Sequence, residues 1–187
     1  MVAMAFGATG TLEGTAPLMG WRSWNAFGPN VSQQVMRSIV AAMVKPRGDG
    51  RSLSDLGFSD AGLDDHLQVC GAGLHGGFHD AQGNPIINTT RFPDLGELVK
   101  FAHERNVSMS WHFNNCKCRD NDQHSDVEIM ARYEADVAAM KKLGFDRVEP
   151  ATVGGLPPDY RNVSDIEPEF DAMLANLQAR CLRPARS

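Results

Sequence analysis

Two stretches concentrate the chemistry of this chain. Met19-Gly20-Trp21-Arg22-Ser23-Trp24-Asn25-Ala26-Phe27-Gly28 sets two tryptophans between glycines, and Leu63-Asp64-Asp65 brings adjacent carboxylates about forty residues later. An indole offers an apolar face on which a pyranose ring can lie, and carboxylates accept hydrogen bonds from its hydroxyls. Together they predict a carbohydrate site. Read alone, Trp21 and Trp24 could both be core residues, since aromatic side chains more often pack than bind, and Trp21 is expected to be one. Read alone, Asp64 and Asp65 also fit a helix cap or a solvated loop start. If both acids serve one site, the backbone must bend after Leu63, because strand alternation would send them to opposite faces.

A second chemistry competes. Asp64, Asp65, His66, His75, His79 and Asp80 lie within reach of one another in sequence and could form a metal-dependent hydrolase. His75-Gly76-Gly77-Phe78-His79 has the i, i+4 spacing, yet its glycines disfavour the helix that would put both imidazoles on one face. No third ligand is fixed by spacing, so the metal reading is the weaker.

Short apolar runs alternating with helical periods must position these residues. Strands are predicted at Pro17 to Trp21, Phe58 to Leu63, Val107 to Phe113 and Phe145 to Val148. Helices are predicted at Val31 to Val44, with Val35, Ile39, Val40 and Met43 on one face, at Asp94 to Arg105 and at Asp126 to Leu143. Pro46 ends the first helix. Between the second strand and second helix runs a loop rich in glycine and histidine, in which Asp80-Ala81-Gln82-Gly83-Asn84-Pro85 reads as a turn. The repeated βαβ order argues for parallel strands with right-handed crossovers, as an open sheet or a barrel. In either, Asp64, Asp65 and Asn114-Asn115 fall at C-terminal strand ends, where such folds place their sites.

At 187 residues, with 42% hydrophobic and 22% charged side chains, the chain has ordinary one-domain globular composition. A net charge of -5 and a pI near 5.6 argue against nucleic-acid and anionic-membrane partners and favour neutral ligands. No run approaches the roughly 18 apolar residues of a membrane span, and the first residues show no secretion signal. Cys70, Cys116, Cys118 and Cys181 are too few and too irregular for a disulfide scaffold. Asn30, Asn88, Asn106 and Asn162 head glycosylation sequons that matter only in a secreted chain, and the compartment is left open.

At the level of motifs, residues 19 to 28 resemble the M-G-W-N-S-W-N-x-F-G opening of the α-galactosidases of glycoside hydrolase family 27. The resemblance continues in register. Leu63-Asp64-Asp65 is similar to the family's second-strand L-D-D, residues 80 to 85 to its D-x-x-G-x, and Arg91-Phe92-Pro93 with His103-Glu104-Arg105 to its R-F-P…H-x-K. The resemblance implies a (β/α)8 TIM-type barrel that removes terminal α-linked galactose, or N-acetylgalactosamine in a sister group, with retention. Such chemistry uses two carboxyl groups about 5 Å apart, without metal or organic cofactor. Carried over, Trp24 stacks on the sugar, and Asp64 and Asp65 bind its hydroxyls. His112 stands where the family has a pocket-lining tyrosine, and His66 replaces a cysteine that follows L-D-D, so the disulfide expected there is missing.

The departures fall at the fourth strand. Where the family has K-x-D, with the aspartate as nucleophile, this chain reads Glu149-Pro150-Ala151. Glu149 has the parity of an interior residue but lies two residues early, roughly 6 to 7 Å along a strand. No residue here is assigned as nucleophile or acid/base. A barrel of about 250 residues leaves this chain about the first four βα units, incomplete as a barrel. The expected division is a flexible N-terminus over 1–16, a partial barrel over 17–150 and a divergent tail over 151–187. That tail carries a short helix over 165–180, from Ser164, Glu167 and the spacing of Ile166, Phe170, Met173, Leu174 and Leu177. A frameshift or splice change near codon 149 would produce this break. Little or no turnover is expected, a galactose-binding module without chemistry being the alternative. Open barrel edges and an apolar interior exposed to water predict self-association.

Overall fold

The computed structural model describes residues 19–112, 125–149 and 161–162. The expected flexible N-terminus, Asn114-Asn115, Ala151 and the tail helix lie outside the described residues. Strands β1 (Gly20–Arg22), β2 (Asp60–Leu63), β3 (Ser108–His112), β4 (Arg147–Glu149) and β5 (Arg161–Asn162) form one sheet in sequence order. The first four are parallel, and β5 runs antiparallel to β4. Helices α1 (Trp24–Phe27), α2 (Gln33–Met43), α3 (Leu95–His103) and α4 (Asp126–Leu143) complete the order, α2, α3 and α4 connecting successive parallel strands. The predicted α/β parallel architecture is observed.

Each of these three helices starts on a side-chain cap. Ser32 accepts from the Val35 N–H, Asp94 from the Glu97 N–H, and Ser125 forms a capping box with Glu128. Gly144, at φ 84°, ends α4 in the left-handed conformation that glycine adopts freely. The buried face of α2 is Met36, Val40 and Met43, whereas Val35 and Ile39 are only half-buried. Strand β1 lies further along the chain than predicted: Arg22 pairs with Gly62, and the Ser23 N–H donates to the Gly62 carbonyl at 3.2 Å.

Register divides the sheet into two unlike faces. Trp21, Ala61, Leu63, Met109, Trp111 and Val148 form the first and pack into the helix-covered core with Met36, Val40, Leu98, Val99, Val137 and Met140. Paired on the other are Gly20 and Arg22 of β1, Asp60 and Gly62 of β2, Ser108, Ser110 and His112 of β3, and Arg147 of β4. The face expected to be an apolar interior is therefore polar. A sheet buried on both sides reads as continuous apolar runs, but β2 and β3 alternate strictly, so only one face carries apolar side chains. Among the described residues, no helix is long and apolar enough to cross a membrane.

Candidate functional site

The site residues stand at the C-terminal ends of β1, β2 and β3. Trp24 opens α1 directly after β1, Asp64 and Asp65 follow β2, and His112 is the last residue of β3. Trp24 is 41% exposed, while Trp21 is half-buried against the core and meets Phe27 edge-on at 6.0 Å. The two tryptophans thus differ, Trp21 packing against the core and Trp24 facing solvent.

Asp64 ties β1 to β2. Its Oδ1 accepts from Arg22 Nη2 at 3.2 Å, and its Oδ2 accepts from the Ser23 hydroxyl at 3.1 Å and from the Trp24 N–H at 2.7 Å. The Asp64 N–H in turn donates to Ser23 Oγ at 2.9 Å. Three donors on a carboxylate with about four lone-pair positions leave room for roughly one more, such as a sugar hydroxyl. Asp65 lies beside His112, with Oδ1 3.6 Å from Nε2, both side chains being largely buried. Arg22 and His112 belong to the same face, so both aspartates turn toward it. The backbone makes the required bend at Asp65, and His66 follows with φ 72°.

Beneath these groups Asp60, 3% exposed, accepts from the hydroxyls of Ser108 and Ser110 and from Arg147 Nη1 at 3.3 Å. Arg22 Nη1 approaches the same carboxylate at 4.0 Å. A buried carboxylate is tolerable only with such partners. Arg22, Ser23 and Asp60 were not singled out from sequence; a charged residue at a position of interior parity was the available signal. By register Glu149 pairs with His112, and Ala151 lies outside the described residues.

The six residues of the metal reading do not converge. Asp64 is bound to Arg22, and Asp80 accepts from the backbone of Gln82 and Asn84. His79 is buried and contacts Asp136 of α4 at 3.2 Å, holding the long β2 to α3 loop against that helix. His66 instead stacks on Trp24, ring centroids 5.8 Å apart and planes 12° from parallel. Among the described residues, no group of three histidines, cysteines or carboxylates is placed to hold a metal ion. Cys70 is disulfide-bonded, and all other cysteines lie outside the described residues.

A parallel α/β sheet thus carries an indole and paired carboxylates at its C-terminal strand ends. Known proteins share this pattern of sequence and fold. The chain is 33% identical over 97 residues to α-galactosidase of Cyamopsis tetragonoloba, covering 51% of this chain and 21% of that protein. It is 30% identical over 201 residues to α-galactosidase of Oryza sativa subsp. japonica, covering 86% of this chain and 45% of that protein. The crystal structure of α-galactosidase I from Mortierella vinacea superposes with a TM-score of 0.57 at 20% identity, covering 90% of this chain and 38% of that one. No family model matches the chain. The chain is a relative of the α-galactosidases of glycoside hydrolase family 27, and its partial coverage fits their N-terminal part. It spans less than half the length of these relatives.

Proposed function

We propose that this chain forms the first four βα units of a family-27 barrel and carries its galactose-recognising half. Trp24 supplies the stacking face, Asp64 and Asp65 accept from ring hydroxyls, and His112 lines the pocket beside Asp65. The observation that carries the reading is the convergence of Trp24 and Asp64 through the 2.7 Å hydrogen bond that the Trp24 backbone N–H donates to the carboxylate. A terminal α-linked galactose, or its N-acetyl derivative, is the ligand class; no cofactor enters.

The retaining reaction needs a nucleophile that the resemblance would place at Ala151, so binding without turnover is the activity proposed for this chain. Few contacts hold the sugar, and the affinity expected is on the order of millimolar. The edges of the sheet favour self-association, read as a concentration-dependent sedimentation coefficient.

The test is a galactose titration of the purified chain followed by NMR, alongside hydrolysis of a chromogenic aryl α-galactoside, both with Trp24→Ala and with chelator. Saturable binding abolished by Trp24→Ala and indifferent to chelator, with no hydrolysis, is expected. Chelator-sensitive hydrolysis would return the metal reading. Hydrolysis indifferent to chelator would make Glu149 the first residue to substitute as nucleophile.

A further inference from the structure

We propose that Arg22 is a positioning residue for the sugar platform, acting through Asp64 on Trp24, and that the glycine at position 62 is what admits it. The inference rests on the reading of Trp24 and Asp64 as sugar-binding residues and adds the group that sets their geometry.

Three consecutive residues of the β1 end converge on one carboxylate. Arg22 holds Oδ1 at 3.2 Å, while the Ser23 hydroxyl and the Trp24 N–H hold Oδ2 at 3.1 and 2.7 Å. A carboxylate is planar, so a charged donor on one oxygen fixes where the other points. The terminal torsion of aspartate is otherwise broad, and without the guanidinium only the two donors on Oδ2 restrain the carboxylate plane. Below it, Arg22 Nη1 lies 4.0 Å from Asp60 Oδ2, a distance for charge attraction rather than a hydrogen bond. A fork spanning two carboxylates is arginine geometry; a lysine supplies one point charge and keeps one of the two contacts.

Gly62 provides the space. A Cβ built there would lie 2.0 Å from Arg22 Nη1, 2.3 Å from Cζ and 2.6 Å from Nε, and these are its three nearest neighbours. The guanidinium therefore lies over Gly62, and a methyl there can be admitted only if the arginine moves away. The family opening that this chain resembles has asparagine at the position of Arg22, a side chain too short to lie across Gly62 and reach both carboxylates. Arg22 and Gly62 form one device that makes the stacking residue and the hydroxyl acceptor a single rigid unit.

The experiment uses the whole 187-residue chain as Arg22→Asn, Arg22→Lys, Gly62→Ala and the Arg22→Asn/Gly62→Ala double variant. Each is read by the NMR resonances of the Trp24 amide and indole, and by galactose titration. Arg22→Asn and Gly62→Ala should each shift the Trp24 amide and weaken galactose about tenfold, with Arg22→Lys between them and wild type. The double variant should be no worse than Arg22→Asn, because the added methyl no longer meets a guanidinium. An unmoved Trp24 amide in Arg22→Asn overturns the proposal, as does a Gly62→Ala effect that adds in full to it. Should Arg22→Asn not fold, Arg22→Lys and Gly62→Ala decide by the same amide. If wild type takes up no galactose, the functional reading fails while the amide shifts still judge the role of Arg22.

Discussion

The two faces of the sheet are built from the same strands and do opposite work. On one, Trp111 is fully buried and meets Phe145 edge-on at 5.2 Å within a continuous apolar core. On the other, Asp60 sits among Ser108, Ser110, Arg22 and Arg147, and the same polar face rises to Asp64 and His112 at the strand ends. The first face is held by area removed from water, which is non-directional. The second is held by hydrogen bonds, which fix orientation at modest net gain. Burial on one side leaves the other free to set geometry, and the proposed sugar site grows out of the polar side.

The comparison breaks most readily at the core. Trp111→Ala should cost about 3 to 5 kcal/mol through lost burial and the cavity left behind, read as a lowered urea midpoint. Asp60→Ala should cost about 2 kcal/mol, because it strips partners from two serines and an arginine without opening a large void. If the Asp60 variant proves the more damaging, the polar face is a principal source of stability and the division drawn between the faces is wrong. An Asp60→Asn variant sharpens the point: it keeps one acceptor oxygen, so a cost as large as that of alanine would assign the effect to charge rather than to hydrogen bonding.

Much of this was legible beforehand, for physical reasons. The α4 helix was readable end to end because 18 residues without glycine or proline run between Ser125 and Gly144, and the turn from Asp80 to Pro85 because its residues have strong turn chemistry. Trp24 and Asp64 were picked out by type, spacing and resemblance, and the structure sets them side by side. The polar face was also written in the chain, since Asp60-Ala61-Gly62-Leu63 and Ser108-Met109-Ser110-Trp111-His112 alternate strictly. The expectation of an apolar interior followed the general habit of parallel barrels instead of that alternation. What could not be read was long-range pairing. Nothing local joins His79 to Asp136, 57 residues on, or Arg22 to Asp64 across 42, because such contacts exist only once register is set. The stack of His66 on Trp24 likewise needs the left-handed turn after Asp65.

The turn from Asp80 to Asn84, within the long loop between β2 and α3, supplies the gentlest test, because it is closed by hydrogen bonds of its own rather than by either face. The Asp80 carboxyl is held below the usual value of 3.8, chiefly by the Asn84 N–H, with the Asn84 side chain, the Gln82 N–H and the nearby His79 contributing and partial desolvation opposing. A depressed pKa in the folded state means that ionised Asp80 stabilises the turn above the ordinary aspartate pKa, and that this support disappears as pH falls through the lower folded value. Hydrogen exchange at the Gln82 and Asn84 amides should therefore keep its protection from neutral pH down to about 4 and lose it below. Asp80→Asn should remove that acid step and leave the Ser52 amide, held by the separately lowered Asp55, titrating as before. Because the Asp80 carboxylate holds only this local turn, global unfolding should barely move. An acid step that persists in Asp80→Asn would place its origin elsewhere, with the buried contact of His79 with Asp136 the first to examine, since it joins this loop to α4 and so to the apolar side of the sheet.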